Sequence, residues 1–137
     1  MVKILRNGEV CEEELANLRA SVGWPYTPGT YPRSLPKQYA YFTARDTAEL
    51  VGYVSVISDG VGDAFLIDLM VRPSHQGRRI GSRLVHGALV FVRDSGVQCT
   101  QVTFDARLTE FYRKAGFHIF GGGIIDFPRM EIPALKQ

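Results

Sequence analysis

The chain has 137 residues, of which 45% are hydrophobic and 22% charged, and its formal net charge is +2. This length suits one core, so we predict a single domain over residues 1–137 that folds alone or as a small oligomer such as a homodimer. The small charge argues against a nucleic-acid partner, and the hydrophobic content argues against a disordered chain.

The sequence offers no targeting or metal signal. No apolar run has the length of a signal peptide or a membrane span, which predicts a cytoplasmic protein with no membrane partner. Cys11 and Cys99 follow no metal-ligand or disulfide spacing, so we interpret them as buried or partly buried free thiols. His75 and His86 are interpreted as surface or partly packed residues. With His118 they form no three-ligand set, so no metal is expected.

The first half of the chain predicts a helix, a loop and a hairpin. Apolar residues recur at helical spacing over residues 10–22, with glutamates in the first turn, and the helix is expected to end at Gly23. The following "WPYTPGTYPRSLP" has four prolines and three aromatic residues, which predicts a proline-stiffened loop with a short helical turn. Two β-rich runs, "QYAYFTA" and "ELVGYVSVISDG", are joined through "RDTAE" and predict a hairpin.

The second half alternates strands and helices. The apolar run "AFLIDLMV" predicts a central strand buried on both faces, and the periodic residues 80–92 predict a helix capped by Gly96. Then "VQCTQVTFD" predicts a strand, "LTEFYRKAGF" a short helix closed by Gly116, and "FHIF" and "RMEIP" two last strands. The order αββ, βαβ, αββ indicates an α/β domain with a mixed sheet.

A glycine-bearing turn, "HQGRRIGSR" at residues 75–83, joins the apolar strand to the long helix. Such a turn points several backbone N–H groups and the positive end of the helix dipole at one place, which suits a phosphate. The P-loop pattern GxxxxGKS/T is excluded because Gly77 and Gly81 are followed by Ser82 without a lysine, and GxGxxG is absent. The turn is therefore predicted to bind a phosphate of another kind of ligand.

The segment "LMVRPSHQGRRIGSRLV" resembles the R/Q-x-x-G-x-G/A pattern of the GNAT superfamily of acyl-CoA-dependent N-acyltransferases, with Arg79 where the middle glycine usually lies. "TEFYRKAGF" is similar to the family's carboxy-terminal "FYxKxGF" signature, and "SVGWPYT" looks like its acceptor-side loop. The resemblance covers nearly the whole chain. It implies a GNAT-like fold, in which a mixed, twisted central sheet has helices on both faces and two splayed parallel strands hold acyl-CoA.

The resemblance implies that acetyl-CoA lies between "LIDLMV" and "VQCTQVTF". Main-chain groups of Leu69, Met70 and Val71 would hold the pantetheine arm as a strand does, and the Val71 N–H would face the thioester oxygen. The pyrophosphate would lie on backbone N–H groups of the turn. These belong to Gln76, Gly77, Arg78, Arg79, Ile80, Gly81 and Ser82.

Two residues are candidates for the chemistry. By resemblance Tyr112 would protonate the departing CoA thiolate, and its alternative is an aromatic side chain on a helix face. Asp68 lies among apolar neighbours in a strand, where a carboxylate needs a partner, and it is a candidate general base for the amine. The alternatives are a structural aspartate satisfied by backbone or by an arginine, with a water chain taking the proton.

The aromatic residues of the proline-stiffened loop, Trp24, Tyr26 and Tyr31, are predicted to line the acceptor pocket; the alternative is that Trp24 covers the core. The sequence thus predicts an acetyl-CoA-dependent N-acetyltransferase that acts on a primary amine of a small molecule by direct attack in a ternary complex. The alternatives are a protein N-acetyltransferase and a CoA-binding sensor or interaction module without turnover.

Overall fold

One open sheet of five strands organises the computed structural model, which describes residues 1–135. The strands run in chain order across the sheet, and neighbours are antiparallel except for the last pair, which is parallel. They are β1 (Val2–Arg6), β2 (Ala40–Asp46), β3 (Glu49–Ser58), β4 (Asp63–Val71) and β5 (Cys99–Val102). The predicted hairpin is therefore β2–β3, and the prediction of a mixed α/β sheet is confirmed.

The helices are α1 (Glu12–Ser21), α2 (Thr30–Ser34), α3 (Ile80–Asp94) and α4 (Thr109–Lys114). Short 3-10 turns occupy Leu35–Lys37, Pro73–His75 and Ala106–Leu108. Gly96 follows the end of α3 with φ +85° and Gly116 follows α4 with φ +111°, the left-handed conformation that ends helices. In the part of the chain that the structure describes, no helix is long and apolar enough to cross a membrane.

Helices cover both faces of the sheet. Neighbouring residues of β3 point to opposite faces, and two of them show which helix covers each face. Tyr53 belongs to the core on the α1 side, with Leu15 and Leu18. Gly52, next to it, faces α3, where an added Cβ would lie 2.9 Å from Leu84 Cδ1. The glycine therefore permits the close approach of α3 to the sheet.

The chain forms two compact units, which divide after Val102. Residues 1–102 hold all five strands with α1, α2 and α3. The unit that begins at Thr103 holds α4, in which Tyr112 stacks on Phe104 with ring centroids 4.6 Å apart. The single domain over residues 1–137 stays a prediction.

Three features of the sheet differ from the sequence-based expectations. The strand β1 was not predicted, because Lys3 and Arg6 interrupt its apolar residues; it is an edge strand, where charged residues are common. β5 is shorter than the predicted run "VQCTQVTFD". β4 lies between two strands as expected, but Phe65 keeps 42% of its surface exposed, so burial on both faces is wrong at this position.

The two predicted last strands, "FHIF" and "RMEIP", are wrong, and with them the final αββ order. Residues 117–135 contain no strand, and the apolar side chains of Phe120 and Ile132 are 76% and 71% exposed. A strand needs a ladder partner, and a run of three glycines with Pro128 nearby disfavours one. The expectation of buried thiols is also wrong, because Cys11 and Cys99 are both exposed.

Candidate functional site

The turn before α3 presents backbone donors at a helix start. Gln76 Nε2 donates to the Val71 carbonyl at 2.9 Å, Gly77 has φ +78°, and α3 begins at Ile80. The first turn of an α-helix has no acceptor within the helix for its N–H groups, and Arg83 N to the Arg79 carbonyl, at 3.0 Å, is the first bond of the helical type. Because α3 has 15 residues, its positive end and these donors suit an anion.

Arg79 occupies the position where the family pattern has glycine, and its backbone is left-handed, with φ +64° and ψ 15°. This conformation favours glycine and strains an L-residue by roughly 1 kcal/mol. Within residues 1–135, the side chains of Arg78 and Arg79 form no hydrogen bond or ion pair, and both residues are exposed. The two guanidinium groups are thus available to an anion at the turn.

His75, the first residue of this turn, is held by a contact at each ring nitrogen. Its Nε2 lies 2.8 Å from Asp46 Oδ2 at the end of β2, and its Nδ1 lies 2.8 Å from Ser74 Oγ. His75 is 8% exposed, so it is a packed residue that joins the turn to the β2–β3 hairpin. His86 and His118 are exposed.

The carboxyl-terminal half of β4 has an open edge. β4 pairs with β5 only where residues 63–66 meet residues 99–102. Residues 67–71, which include the predicted Leu69, Met70 and Val71, have no parallel partner in the described part of the chain. Unpaired backbone groups along a strand fit a ligand that carries amides.

A β-bulge marks the start of this open edge. Tyr53 of β3 faces Met70 and Ser55 faces Ile67, so two steps along β3 match three along β4. Asp68 lies inside the bulge with φ +56°, a conformation in which Asp is among the more frequent residues. The bulge is a place where a side chain is commonly re-aimed next to an active site.

The Asp68 carboxylate has two partners. Tyr31 Oη donates to Asp68 Oδ2 at 3.0 Å, and Arg19 Nη1 lies 3.3 Å from Asp68 Oδ1 and 3.2 Å from Tyr31 Oη. The side chains of Arg19 and Asp68 are 20% and 28% exposed, so the cluster is partly open to solvent. An arginine partner was one of the predicted alternatives, but no local pattern identified Arg19, since the pair joins α1 to a distant strand.

Glu12 holds the loop that carries the predicted acceptor residues. Its Oε2 accepts from Tyr26 Oη at 2.5 Å and from Gly29 N at 2.6 Å, and the Tyr26 bond lowers the pKa of Glu12. Tyr26 stacks on Tyr31 with centroids 5.2 Å apart. Trp24 is 39% exposed and lies 5.4 Å from Arg19 Cζ, so it does not cover the core. The loop is preformed by contacts with α1.

Tyr112 lies in an aromatic cluster of its own unit. Besides stacking on Phe104, its ring meets Phe111 and Phe117 edge-on at 5.0 and 5.7 Å. No side-chain hydrogen bond to its hydroxyl is present among residues 1–135, and burial raises the pKa of Tyr112 to about 12. The phenol is therefore protonated at neutral pH, as a proton donor must be.

Metal ligands do not converge in the described part of the chain. Across residues 1–135, no group of three His, Cys, Asp or Glu side chains has a geometry that could hold an ion.

Residues 10–117 match the model of the Acetyltransferase (GNAT) family. The N-alpha-acetyltransferase RimI of Mycobacterium tuberculosis is 31% identical over 71% of this chain and 64% of its own length. The histone acetyltransferase TAP1 of Glycine max is 25% identical over 85% of this chain, which spans 56% of that relative. The chain thus spans less than two thirds of the length of these curated relatives.

Solved structures agree with the sequence match. A GNAT-family acetyltransferase from Streptococcus pneumoniae TIGR4 superposes with a TM-score of 0.77 and 29% identity, covering 95% of this chain and 100% of its own. The sheet with helices on both faces is therefore that of the family. The chain belongs to the GNAT acetyltransferase family.

Proposed function

We propose that the chain transfers the acetyl group of acetyl-CoA to a primary amine of a small molecule, by direct attack in a ternary complex. The observation that carries this proposal is the open edge of β4, which leads from the Asp68 bulge to the anion-binding turn. Membership of an acetyltransferase family makes acyl transfer the chemistry that such an edge and turn would serve.

Acetyl-CoA, when bound, supplies the activated acetyl thioester. Backbone groups of Leu69, Met70 and Val71 would hold the pantetheine amides, because this stretch of β4 has no strand partner on the β5 side in the described residues. The backbone from Gln76 to Ser82 would hold the pyrophosphate, with Arg78 and Arg79 beside it. The fit is supported by the helix start and by the exposed guanidinium groups.

We assign the proton transfers to Asp68 and Tyr112. Attack forms the N–C bond and breaks the C–S bond, so the amine loses a proton and the thiolate gains one. Asp68 would receive the amine proton, directly or through water, and Tyr112 would donate a proton to the thiolate. The phenol of Tyr112 is protonated at neutral pH, so it holds the proton that the thiolate would receive.

The acceptor is proposed to lie against the loop of Trp24, Tyr26 and Tyr31, in which Tyr26 stacks on the buried Tyr31 ring and Trp24 is exposed. A second candidate acceptor is a peptide amino terminus, favoured by the similarity to an N-alpha-acetyltransferase. We also propose that the enzyme uses no metal and acts in the cytoplasm, where the free thiols of Cys11 and Cys99 stay reduced.

The proposal is tested by thiol release from acetyl-CoA with a panel of small primary amines and of short peptides with free amino termini. We expect release above hydrolysis with at least one small amine and a product heavier by one acetyl group. Release with peptides alone would move the acceptor to the second candidate. Binding of acetyl-CoA without release by any amine or peptide would instead favour a non-catalytic CoA-binding module.

A further inference from the structure

We infer that Arg19 is a positioning residue of the acceptor half of the site, which offsets the charge of Asp68 and thereby sets the pH at which the amine becomes reactive. The inference rests on the proposed function, because it concerns the amine that Asp68 would face. Arg19 belongs to no motif of the sequence, and its place is visible only in the fold.

Arg19 reaches three parts of the acceptor region from one position on α1. Its Nη1 meets the Asp68 carboxylate at 3.3 Å and Tyr31 Oη at 3.2 Å, while its Nε donates to the Pro25 carbonyl at 2.9 Å. The guanidinium also lies over the Trp24 ring at 5.4 Å. A planar fork of several donors can make these contacts together, which a lysine cannot.

Among the groups described around Asp68, Arg19 is the one whose positive charge balances the charge of the carboxylate. Tyr31 of α2 contacts Asp68 directly, and Tyr53 of β3 packs edge-on against Tyr31 at 6.1 Å. Burial raises the pKa of both phenols, so they stay neutral through the working pH range. Glu12 of α1, which joins this network through Tyr26, is engaged by Tyr26 and Gly29.

The pairing of Arg19 with Asp68 has a direct consequence for an incoming amine. An unbalanced carboxylate favours an ammonium ion beside it, whereas attack requires the neutral amine. The same unbalanced carboxylate would also favour the protonated form of any base that lies beside it. Whichever group loses the proton, removal of the Arg19 charge therefore moves the ionisation that limits the rate to higher pH.

The test is the pH dependence of kcat at saturating amine for wild type, Arg19→Met and Arg19→Lys. We expect Arg19→Met to move the acidic limb upward by about 0.5–1 pH unit, from the Coulomb energy of one charge in a partly exposed site. Arg19→Lys restores the charge and so returns the limb to the wild-type position. The KM of Arg19→Lys for the amine should remain above the wild-type value, because one ammonium group cannot hold both Asp68 and the Pro25 carbonyl.

One further variant separates the Arg19 charge from a general loss of positive charge. Arg93→Met removes an exposed arginine of α3 whose ion pair is with Asp94, and it should leave the limb in place. If Arg19→Met does not fold, as judged by thermal unfolding and KM for acetyl-CoA, Arg19→Gln replaces it with the same expected shift.

The outcomes are distinct. An upward shift in the neutral variant that Arg19→Lys reverses supports the inference. A limb that the neutral variant leaves in place, or that Arg19→Lys does not restore, overturns it while the proposed function stands. A wild-type protein that shows no amine-dependent thiol release overturns both.

Discussion

His75 Nε2 lies 2.8 Å from Asp46 Oδ2, and this contact joins the start of the turn before α3 to the end of β2. The hydrogen bond lowers the pKa of Asp46, so the carboxylate is ionised at neutral pH. Because His75 is buried, its position fixes the backbone that leads into Gln76 and Gly77. The β2–β3 hairpin thus supports the turn through this histidine.

Asp46→Ala should raise KM for acetyl-CoA by about two- to fivefold and leave kcat unchanged. The physical reason is the loss of one hydrogen bond to a carboxylate, part of which is felt at the turn. Steady-state kinetics with an accepted amine provide the measurement, and Asp94→Ala on the exposed side of α3 is the control. An unchanged KM for acetyl-CoA would show that the turn keeps its shape without the hairpin.

Arg79→Gly should have opposite effects on stability and on binding. Relief of the left-handed φ of +64° should stabilise the fold by no more than about 0.5 kcal/mol, after the greater freedom of glycine in the unfolded chain is subtracted. Loss of the guanidinium should raise KM for acetyl-CoA with little effect on KM for the amine. Denaturant unfolding and steady-state kinetics measure the two effects, and an unchanged KM would remove Arg79 from the phosphate site.

Glu14→Gln should destabilise the protein at neutral pH but not in acid. Arg45 donates to both oxygens of Glu14, at 2.6 and 2.9 Å, and lowers the pKa of Glu14 from 4.5 to about 2. A carboxylate with a lowered pKa stabilises the fold fully above about pH 4.5, and this stabilisation is lost as pH falls towards 2. For this partly exposed pair we expect about 1 kcal/mol at pH 7.

Urea unfolding of wild type and Glu14→Gln between pH 3 and pH 7 measures this difference, with Glu13→Gln as the control because Glu13 is exposed and lies in the same turn. The gap between the two proteins should narrow below pH 4.5. A gap of constant size across this range would mean that the ion pair is not its source.

The parts of the fold that could be predicted are those with a local signal. Helical spacing and a left-handed glycine identified α3 and its end, and turn residues identified the β2–β3 hairpin. β1 could not be predicted, because an edge strand with charged residues has no apolar alternation. The strands predicted in "FHIF" and "RMEIP" are wrong although both runs have the apolar pattern that β1 lacks. Such a pattern does not supply the neighbouring strand with which a strand must pair.

The candidate site shows the same division. The turn from Gln76 to Ser82 and the tyrosine of "FYRKAGF" could be proposed as site residues from the sequence because each lies in a short continuous motif. Arg19 and His75 could not be assigned, because each acts through a partner on a distant element, Asp68 and Asp46 respectively. Such pairs exist only after the strands have brought the residues together.

The pH dependence of the wild-type enzyme should show no alkaline loss of kcat from Tyr112 below about pH 10. A general acid acts in its protonated form, and burial raises the pKa of this phenol to about 12, so the proton is retained across the accessible range. Rates at saturating substrates, corrected for spontaneous hydrolysis of the thioester, provide the measurement. A fall in kcat centred near pH 8 or 9 that Tyr112→Phe abolishes would contradict the raised pKa.

The most direct test of the central claim is the rate of amine-dependent thiol release from acetyl-CoA by wild type and by Tyr112→Phe. The variant keeps the ring that stacks on Phe104 and removes only a hydroxyl without a partner among the described side chains, so it should fold normally. We predict an acetylated amine from the wild type and a kcat about 100-fold lower in Tyr112→Phe, with KM for acetyl-CoA within about twofold. A wild-type protein that binds acetyl-CoA and acetylates no amine would contradict the account.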